Sequence, residues 1–388
     1  MFSRYSVHES MISIPATIWT HWTGVPAGLT YTHLCVNEKT LASQVRFWYV
    51  IFWQGDRPVG IAQFQLFRLD ARSFVGAVRR SGVLPIIEAQ VKELLHKGAG
   101  LSKIWVVLCG DLYATGPSFY WFENQVNRED QWEFVSTAVR RVVQWADERV
   151  SPELIVIKDF MPDELPGWDD YHSAGFHCIE TDPNMILDLR DWRTFDDYLG
   201  EVKARYRHKI KAVMSACESV ESHTIHPNEI DRYSQRMDHL HSAIFERAEV
   251  KYLKVPDGYF AQMSKFLPHH YTLRGYWLQG ELIGFVSYHF DHSIMKCQYF
   301  GLDRQVRDTL PIYQYLLIDA IAAGLERTGI RTIEYGRTAS EMKSAVGAEP
   351  HSLYALVKHR NPIKNQLVDV FVQLLHPVQF ERRHVFKS

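Results

Sequence analysis

Two stretches of the chain repeat one alternation of apolar runs and turns. Residues 47–53 form an apolar, β-favouring run that stops at Gln54-Gly55-Asp56, and residues 61–67 resume it. Residues 271–278 stop in the same way at Gln279-Gly280-Glu281, and the run resumes over 285–290. Apolar runs on either side of a short Gly-containing acidic turn predict β-hairpins. After each hairpin the pattern predicts a third strand (104–109 and 294–301), a helix (131–149 and 312–328), a fourth strand (154–158 and 331–335) and a closing segment (171–176 and 342–347). In the second of these helices Ile312, Tyr315, Leu316, Ile318 and Ala322 fall on adjoining faces at helical spacing, and Pro311 stands where a missing N–H costs nothing. The order predicts a mixed α/β (α+β) chain in two tandem domains, each a mixed central sheet flanked by helices, with a right-handed last crossover.

A length of 388 residues accommodates two domains. The expected division is 1–188, 189–360 and a helical tail at 361–388, with an insertion at about 68–103 carrying a helix over 84–96. The joint is expected near 185–195, after Thr181-Asp182-Pro183-Asn184 breaks the pattern. The apolar tail, with Leu367, Val368, Val370 and Phe371, reads as a latch onto its own domain, with a membrane or partner contact as the alternative.

Hydrophobic content of 46% and charged content of 23% are ordinary for a globular protein, and a net charge of −2 gives the molecule as a whole no pull on DNA or anionic lipid. Five widely spaced cysteines with no Cys-x-x-Cys pair read as free thiols of a reducing compartment. Without a leader-like start or an apolar stretch of about 18 residues, a cytoplasmic protein with no transmembrane segment is expected. No His-x-x-x-His or His-Glu-x-x-His array is present, so no metal is expected. Walker-type and Gly-x-Gly-x-x-Gly loops are also missing, which argues against a nucleotide kinase or a dinucleotide oxidoreductase. His269-His270 has Arg274 where a condensation enzyme's motif would carry aspartate.

The segment Glu334-Tyr335-Gly336-Arg337-Thr338-Ala339-Ser340-Glu341-Met342-Lys343-Ser344-Ala345-Val346-Gly347-Ala348 is the most specific motif in the chain. It resembles the closing βα unit of the GNAT superfamily of acyltransferases, in the tandem-domain branch that includes the Fem-type aminoacyltransferases of peptidoglycan bridges. Phe195-Asp196-Asp197-Tyr198-Leu199 with Tyr206-Arg207-His208-Lys209-Ile210-Lys211-Ala212 is similar to that family's opening helix. Ile244-Phe245-Glu246-Arg247 is similar to its second helix, and the stretch from Tyr299 to Asp303 to its central strand end.

The resemblance covers about residues 190–360 and implies two GNAT-like domains, with the active cleft chiefly in the second. The first is expected to be degenerate, because 159–176 keeps no counterpart of Arg337 or Lys343. One departure concerns the donor. GNAT enzymes that use coenzyme A usually carry a glycine turn for the pyrophosphate, whereas Arg304-Gln305-Val306-Arg307-Asp308-Thr309-Leu310-Pro311 has no glycine. Fem-type members, which use aminoacyl-tRNA, lack that turn as well.

The implied activity is acyl transfer from a thioester donor, acyl-CoA or an acyl carrier protein, to an amine of a small molecule, peptide or lipid precursor, without a covalent enzyme intermediate. The alternatives are a Fem-type aminoacyl-tRNA-dependent transferase and a noncatalytic binding or scaffold protein. Such chemistry needs a neutral amine, a polarised carbonyl and a proton for the leaving group. Asp303 and Glu334 are candidates to accept the ammonium proton, the alternative being ion pairs with Arg304, Arg307 or Arg331. Tyr299 and Tyr313 are candidate proton donors or pocket walls. Arg337 and Lys343 read as an anion clamp whose removal would cost turnover and not folding, against pairing with Glu334 or Glu341; Glu246 joins them as a substrate contact through the resemblance. Lys203, Arg207 and Lys211, spaced by four, form one stripe of a helix whose apolar side runs from Phe195 to Val213. That stripe is either a solvated face or a phosphate-binding edge for coenzyme A, a phosphopantetheine carrier or tRNA.

Overall fold

A computed structural model describes residues 4–70, 103–116, 119–248, 253–374 and 377–387. In chain order the described elements are β1 (Arg4–His8), α1 (Tyr31–Leu41), β2 (Val45–Gln54), β3 (Arg57–Asp70), β4 (Lys103–Cys109), β5 (Tyr120–Phe122), α2 (Arg128–Asp147), β6 (Leu154–Phe160), α3 (Trp168–Ser173) and β7 (His177–Asp188). Then follow α4 (Phe195–Glu201), α5 (Ala204–Ala216), β8 (Glu221–Ile225), α6 (Ile230–Phe245), α7 (Tyr259–Phe266), β9 (Tyr271–Leu278), β10 (Glu281–Asp291) and β11 (Ile294–Leu302). The chain continues with α8 (Arg304–Thr309), α9 (Ile312–Glu326), β12 (Thr332–Gly336), α10 (Ser340–Ser344), β13 (Glu349–His359) and α11 (Pro362–Leu374). The helix expected over 84–96 lies outside the described residues. Among the described residues no helix is long and apolar enough to cross a membrane.

The chain divides into two compact units. Unit 1 holds residues up to 182, 253–255 and 352–378; unit 2 holds 183–248, 256–351 and the end of the chain from 379. The strand β13 is where this differs from a division at residue 360, because its residues from Tyr354 to His359 ladder antiparallel with β6. Pro183 and its neighbours do not interrupt β7, whose residues 185–188 pair with β12. A proline is tolerated there because it precedes the paired stretch and withholds no ladder hydrogen bond from it.

In unit 1 the strand order is β1-β2-β3-β4-β6-β13, with β5 beside β3, and β4 with β6 is the parallel pair. The helix α2 lays Phe134, Val135, Ala138, Val139 and Val142 against Trp48, Val50, Phe52 and Phe64 of the sheet. In unit 2 the order is β7-β12-β11-β10-β9-β8, antiparallel except for β11 with β12.

Helices cover both faces of the unit 2 sheet. The Phe300 ring meets Tyr313 of α9 at 5.5 Å, whereas the neighbouring Tyr299 meets His241 of α6 at 5.4 Å and Phe260 of α7 at 5.6 Å. Adjacent strand residues point to opposite faces, so α9 lies on one side and α6 with α7 on the other. The α9 side is closed by a core of Tyr198, Tyr206, Ile210, Leu316, Leu317, Ile321 and Ile333.

The sequence pattern misses two local features. The apolar stripe from Phe195 to Val213 is two helices, not one, because Val202 and Lys203 are extended. Tail residues hold that break: Val202 bridges Phe386, Lys203 N–H donates to Val385 O at 2.9 Å, and Lys387 N–H donates to Glu201 O at 2.9 Å. The glycine-free segment after β11 is also not a plain turn. It forms the short helix α8, with Asp303 as its N-cap.

Candidate functional site

The parallel ladder of β11 and β12 is short. It joins Ile294 to Thr332, Met295 to Ile333 and Lys296 to Glu334, and then stops. Beyond it β11 continues to Leu302 on its ladder with β10, while β12 ends at Gly336 against β7. The two strands therefore part into a wedge at their C-terminal ends, the usual place for ligands in such sheets.

The cause is local. In the β10–β11 ladder Tyr288 pairs with Cys297 and Ser287 with Tyr299, so Gln298 is the extra residue of a β-bulge. A bulge bends its strand and raises its twist, which turns β11 away from β12. Tyr299 N–H donates to Ser287 Oγ at 3.0 Å at this point. No strand among the described residues pairs with the β12 side of β11 past Lys296; in this stretch Phe300 O lies 3.3 Å from His241 Nδ1.

Glu334 stands at the apex, as the last ladder residue of β12. Its neighbours Ile333 and Tyr335 face α9, where the Tyr335 hydroxyl donates to Leu317 O at 2.8 Å. By alternation Glu334 shares the opposite face with Tyr299. The Glu334 carboxylate is buried, and its Oε2 accepts from Asn184 Nδ2 at 3.1 Å. Tyr313 lies on the other face, at the first turn of α9, where burial pushes its phenol up, followed by the influence of the Cys297 thiol. Cys297 sits between these groups. Burial pushes its own thiol up, Lys343 opposes that rise, and Glu334 adds to it.

The segment after β12 is strained. Gly336, Thr338 and Ala339 have φ of 71°, 65° and 49°. The left-handed region is open to glycine but costs a β-branched residue and an alanine of order 1–2 kcal/mol each. Lys343 braces this turn from inside: its Nζ donates to Gly336 O at 3.1 Å and Arg337 O at 2.6 Å. Its side chain is buried, 2% exposed, and burial pushes the ammonium down to about 7, against a small rise from Cys297. The paired anion clamp expected from the sequence is thus divided. Lys343 is committed to backbone carbonyls, while Arg337 is a half-buried guanidinium that burial pushes down to about 10.

Asp303 is occupied in a comparable way. Its Oδ1 accepts from Gln305 N–H at 2.9 Å and Val306 N–H at 3.3 Å, and its Oδ2 pairs with Arg236 of α6 at 2.7 Å. Burial alone would raise its carboxyl, but the Arg236 bond and the two N–H donors outweigh it and hold it below the ordinary range. The partner is therefore Arg236, not Arg304, Arg307 or Arg331.

The basic stripe is only partly free. Lys203 Nζ donates to His384 O at 3.1 Å and Arg207 Nη1 to Leu199 O at 3.4 Å, leaving Lys211 exposed. Glu246 caps the end of α6 through its backbone, with its side chain exposed. The sequence gives no sign of Asn184 or Arg236 as partners of Glu334 and Asp303, because both contacts join elements far apart in the chain. The Gln298 bulge is equally unreadable from an unbroken apolar run.

Unit 1 has the same parallel pair, β4 with β6, but its strand ends are covered by residues 110–116. Lys158 Nζ donates to Asp111 O at 2.8 Å and Ala114 O at 2.5 Å, Leu112 N–H to Gln65 Oε1 at 2.8 Å, and Gly116 N–H to Asp159 Oδ2 at 3.1 Å. The buried Asp111 carboxylate accepts from Asn37 Nδ2 at 3.0 Å and Tyr113 N–H at 2.9 Å. This buried network fills the position that the wedge opens in unit 2.

No protein-family model and no curated protein matches the chain. Among solved structures it is similar to FemX, at 11% identity with a TM-score of 0.54 over 95% of this chain and 100% of that one. A tandem GNAT protein from the clavulanic acid biosynthesis pathway matches at 12% identity and TM-score 0.49, over 92% and 99% of the two chains. L-PGS from Bacillus licheniformis matches at 14% and 0.48, over 87% and 95%. The FemX likeness shows the fold alone: this chain has the mixed α/β fold that FemX has.

Proposed function

We propose that this protein is an N-acyltransferase that binds an activated acyl donor in the unit 2 wedge and passes the acyl group to an amine. The observation that carries the reading is the parting of β11 and β12 with the Glu334 carboxylate at its apex. An extended donor arm can lie along the stretch of β11 that β12 does not pair past Lys296, as an added strand would. The N–H groups of that stretch then polarise the acyl carbonyl, which is the largest contribution available without a metal or a nucleophile. Glu334 receives the ammonium of the acceptor and takes its proton, the free amine attacks, the new C–N bond forms, and the bond to the leaving sulfur or oxygen breaks. Tyr313 supplies the proton to the leaving group and regains one from the nitrogen, which sheds its second proton as the amide forms; burial keeps its phenol protonated at neutral pH, as a donor must be. Tyr299 walls the Glu334 side, and Arg337 is the candidate for an anionic group of the substrate.

A second reading concerns the donor, and Asp303 favours it. The N–H groups that open α8 are already taken by its carboxylate, which also places negative charge where a pyrophosphate would sit. That supports an aminoacyl ester of tRNA, as in the Fem-type reading, or a carrier-bound thioester, over free acyl-CoA.

Calorimetry at two ionic strengths with coenzyme A, a short acyl-CoA and aminoacylated tRNA discriminates these donors. Micromolar binding of a coenzyme A species supports thioester transfer, selective binding of charged tRNA supports the Fem-type reading, and silence from all three favours a carrier donor or a noncatalytic protein. With the donor in hand, Glu334→Gln is expected to lower kcat by roughly 10²–10⁴-fold with folding retained. An unchanged kcat removes Glu334 from the reaction.

A further inference from the structure

Unit 1 contains a cavity of about 200 Å³ lined by residues other than those of the plugged strand ends described above. Its walls include Phe119, Tyr120, Trp132 and Leu165, and two charged side chains, Arg128 and Glu164, line it as well. The volume lies below the ~300–1,000 Å³ of pockets for drug-sized ligands, so an occupant has the size of a single amino acid.

The two charges face one cavity without joining. Arg128 lies at the start of α2, and its Nη2 is 3.5 Å from Asp163 Oδ2 in an exposed pair, a contact of little net worth. Glu164 has one oxygen engaged: Oε2 accepts from Met161 N–H at 3.0 Å, and no hydrogen bond to Oε1 occurs among the described residues. No ion pair within 4.0 Å links Arg128 to Glu164. Burial comes first in pushing the Glu164 carboxyl up and Asp163 adds to it, while the Met161 N–H bond and the Arg128 guanidinium across the cavity pull the other way without overcoming it. The aromatic walls add faces that attract a cation and bury an apolar body.

We propose that this cavity is a binding site for a small zwitterion of the α-amino acid type, whose ammonium meets Glu164 Oε1, whose carboxylate meets Arg128, and whose apolar side chain packs on Phe119, Tyr120, Trp132 and Leu165. A plain organic cation would leave Arg128 without a role, and an apolar ligand would leave both charges without one. The zwitterion answers both charges with one molecule. The site stands apart from the transfer chemistry of unit 2 and does not depend on it.

The test is calorimetry and ligand-detected NMR on the full chain with phenylalanine and leucine, each beside its C-terminal amide and its N-acetyl derivative. Wild type is expected to bind the free amino acids at millimolar or better. The amide and the N-acetyl form should each bind at least 10-fold more weakly. Glu164→Gln should remove the penalty for N-acetylation, and Arg128→Ala the penalty for amidation, with unchanged circular dichroism and melting of both variants. Trp132→Phe, which keeps an aromatic wall, should retain binding. Absence of binding by wild type overturns the proposal, as does equal binding of free, amidated and acetylated forms or indifference to both charge substitutions.

Discussion

Replacing Lys343 with methionine keeps most of the side-chain volume and removes the ammonium, so it isolates the charge buried under the strained turn. In the folded chain burial pushes this lysine down to about 7 from an ordinary 10.5. Between those values the unfolded chain binds a proton that the folded chain does not, so stability rises with pH, by up to about 1.4 kcal/mol per unit. The contribution is fully present above the unfolded value and is lost as pH falls toward 7. Integrated from pH 7.0 to 8.5 it amounts to about 1–2 kcal/mol. Buried thiols such as Cys297 act in the opposite sense at higher pH, but they are common to both proteins, and the difference between wild type and Lys343→Met cancels most of that. The assay is urea unfolding at pH 7.0 and 8.5 with hydrogen exchange read on peptides covering 332–348, which reports unit 2 itself. Wild type should gain about 1–2 kcal/mol over that interval relative to Lys343→Met. Parallel pH dependences in the two proteins would refute the buried, backbone-bound ammonium and return Lys343 to a solvent-facing role in substrate binding.

Asp319→Ala should destabilise unit 2 by about 3–5 kcal/mol, because it strands Arg274, which binds Asp319 at 2.5 and 3.0 Å in a pair that Tyr276 completes at 2.8 Å; a loss under about 1 kcal/mol in urea melts counts against that burial. Asp303→Asn keeps a competent N-cap but loses the charge on Arg236, so about 1 kcal/mol should be lost at pH 7. Since the Asp303 carboxyl is held below its ordinary range, that difference should shrink as the pH falls through its folded value, and a pH-independent difference would point to the cap instead. Removing Arg207 and Lys211 together should weaken donor binding more at low salt than at high salt if the stripe meets phosphate, and equally at both if it is only structural.

The elements themselves were legible because their causes are local. Gly55 and Gly280 both take positive φ, as the two hairpin turns require, and apolar periodicity marked the helices that became α2 and α9 and the strands around them. The residues of the closing motif were legible too, since Glu334, Arg337 and Lys343 do gather at the end of β12. What each of them touches was not. Lys343 reads as half of an anion clamp, or as a partner of Glu334 or Glu341, yet its Nζ donates to two carbonyls of its own turn. Asp303 reads as a candidate proton acceptor or as a partner of Arg304, Arg307 or Arg331, yet its charge is matched by Arg236, 67 residues away. A continuous amphipathic stripe became α4 and α5 because the distant tail at Val385 and Phe386 pairs with the backbone between them. Periodicity reports which side of an element meets apolar surroundings. The partner of a buried charge, the bulge at Gln298 and the wedge it opens depend on strands and helices that only the folded chain brings together, and there the tertiary structure decided.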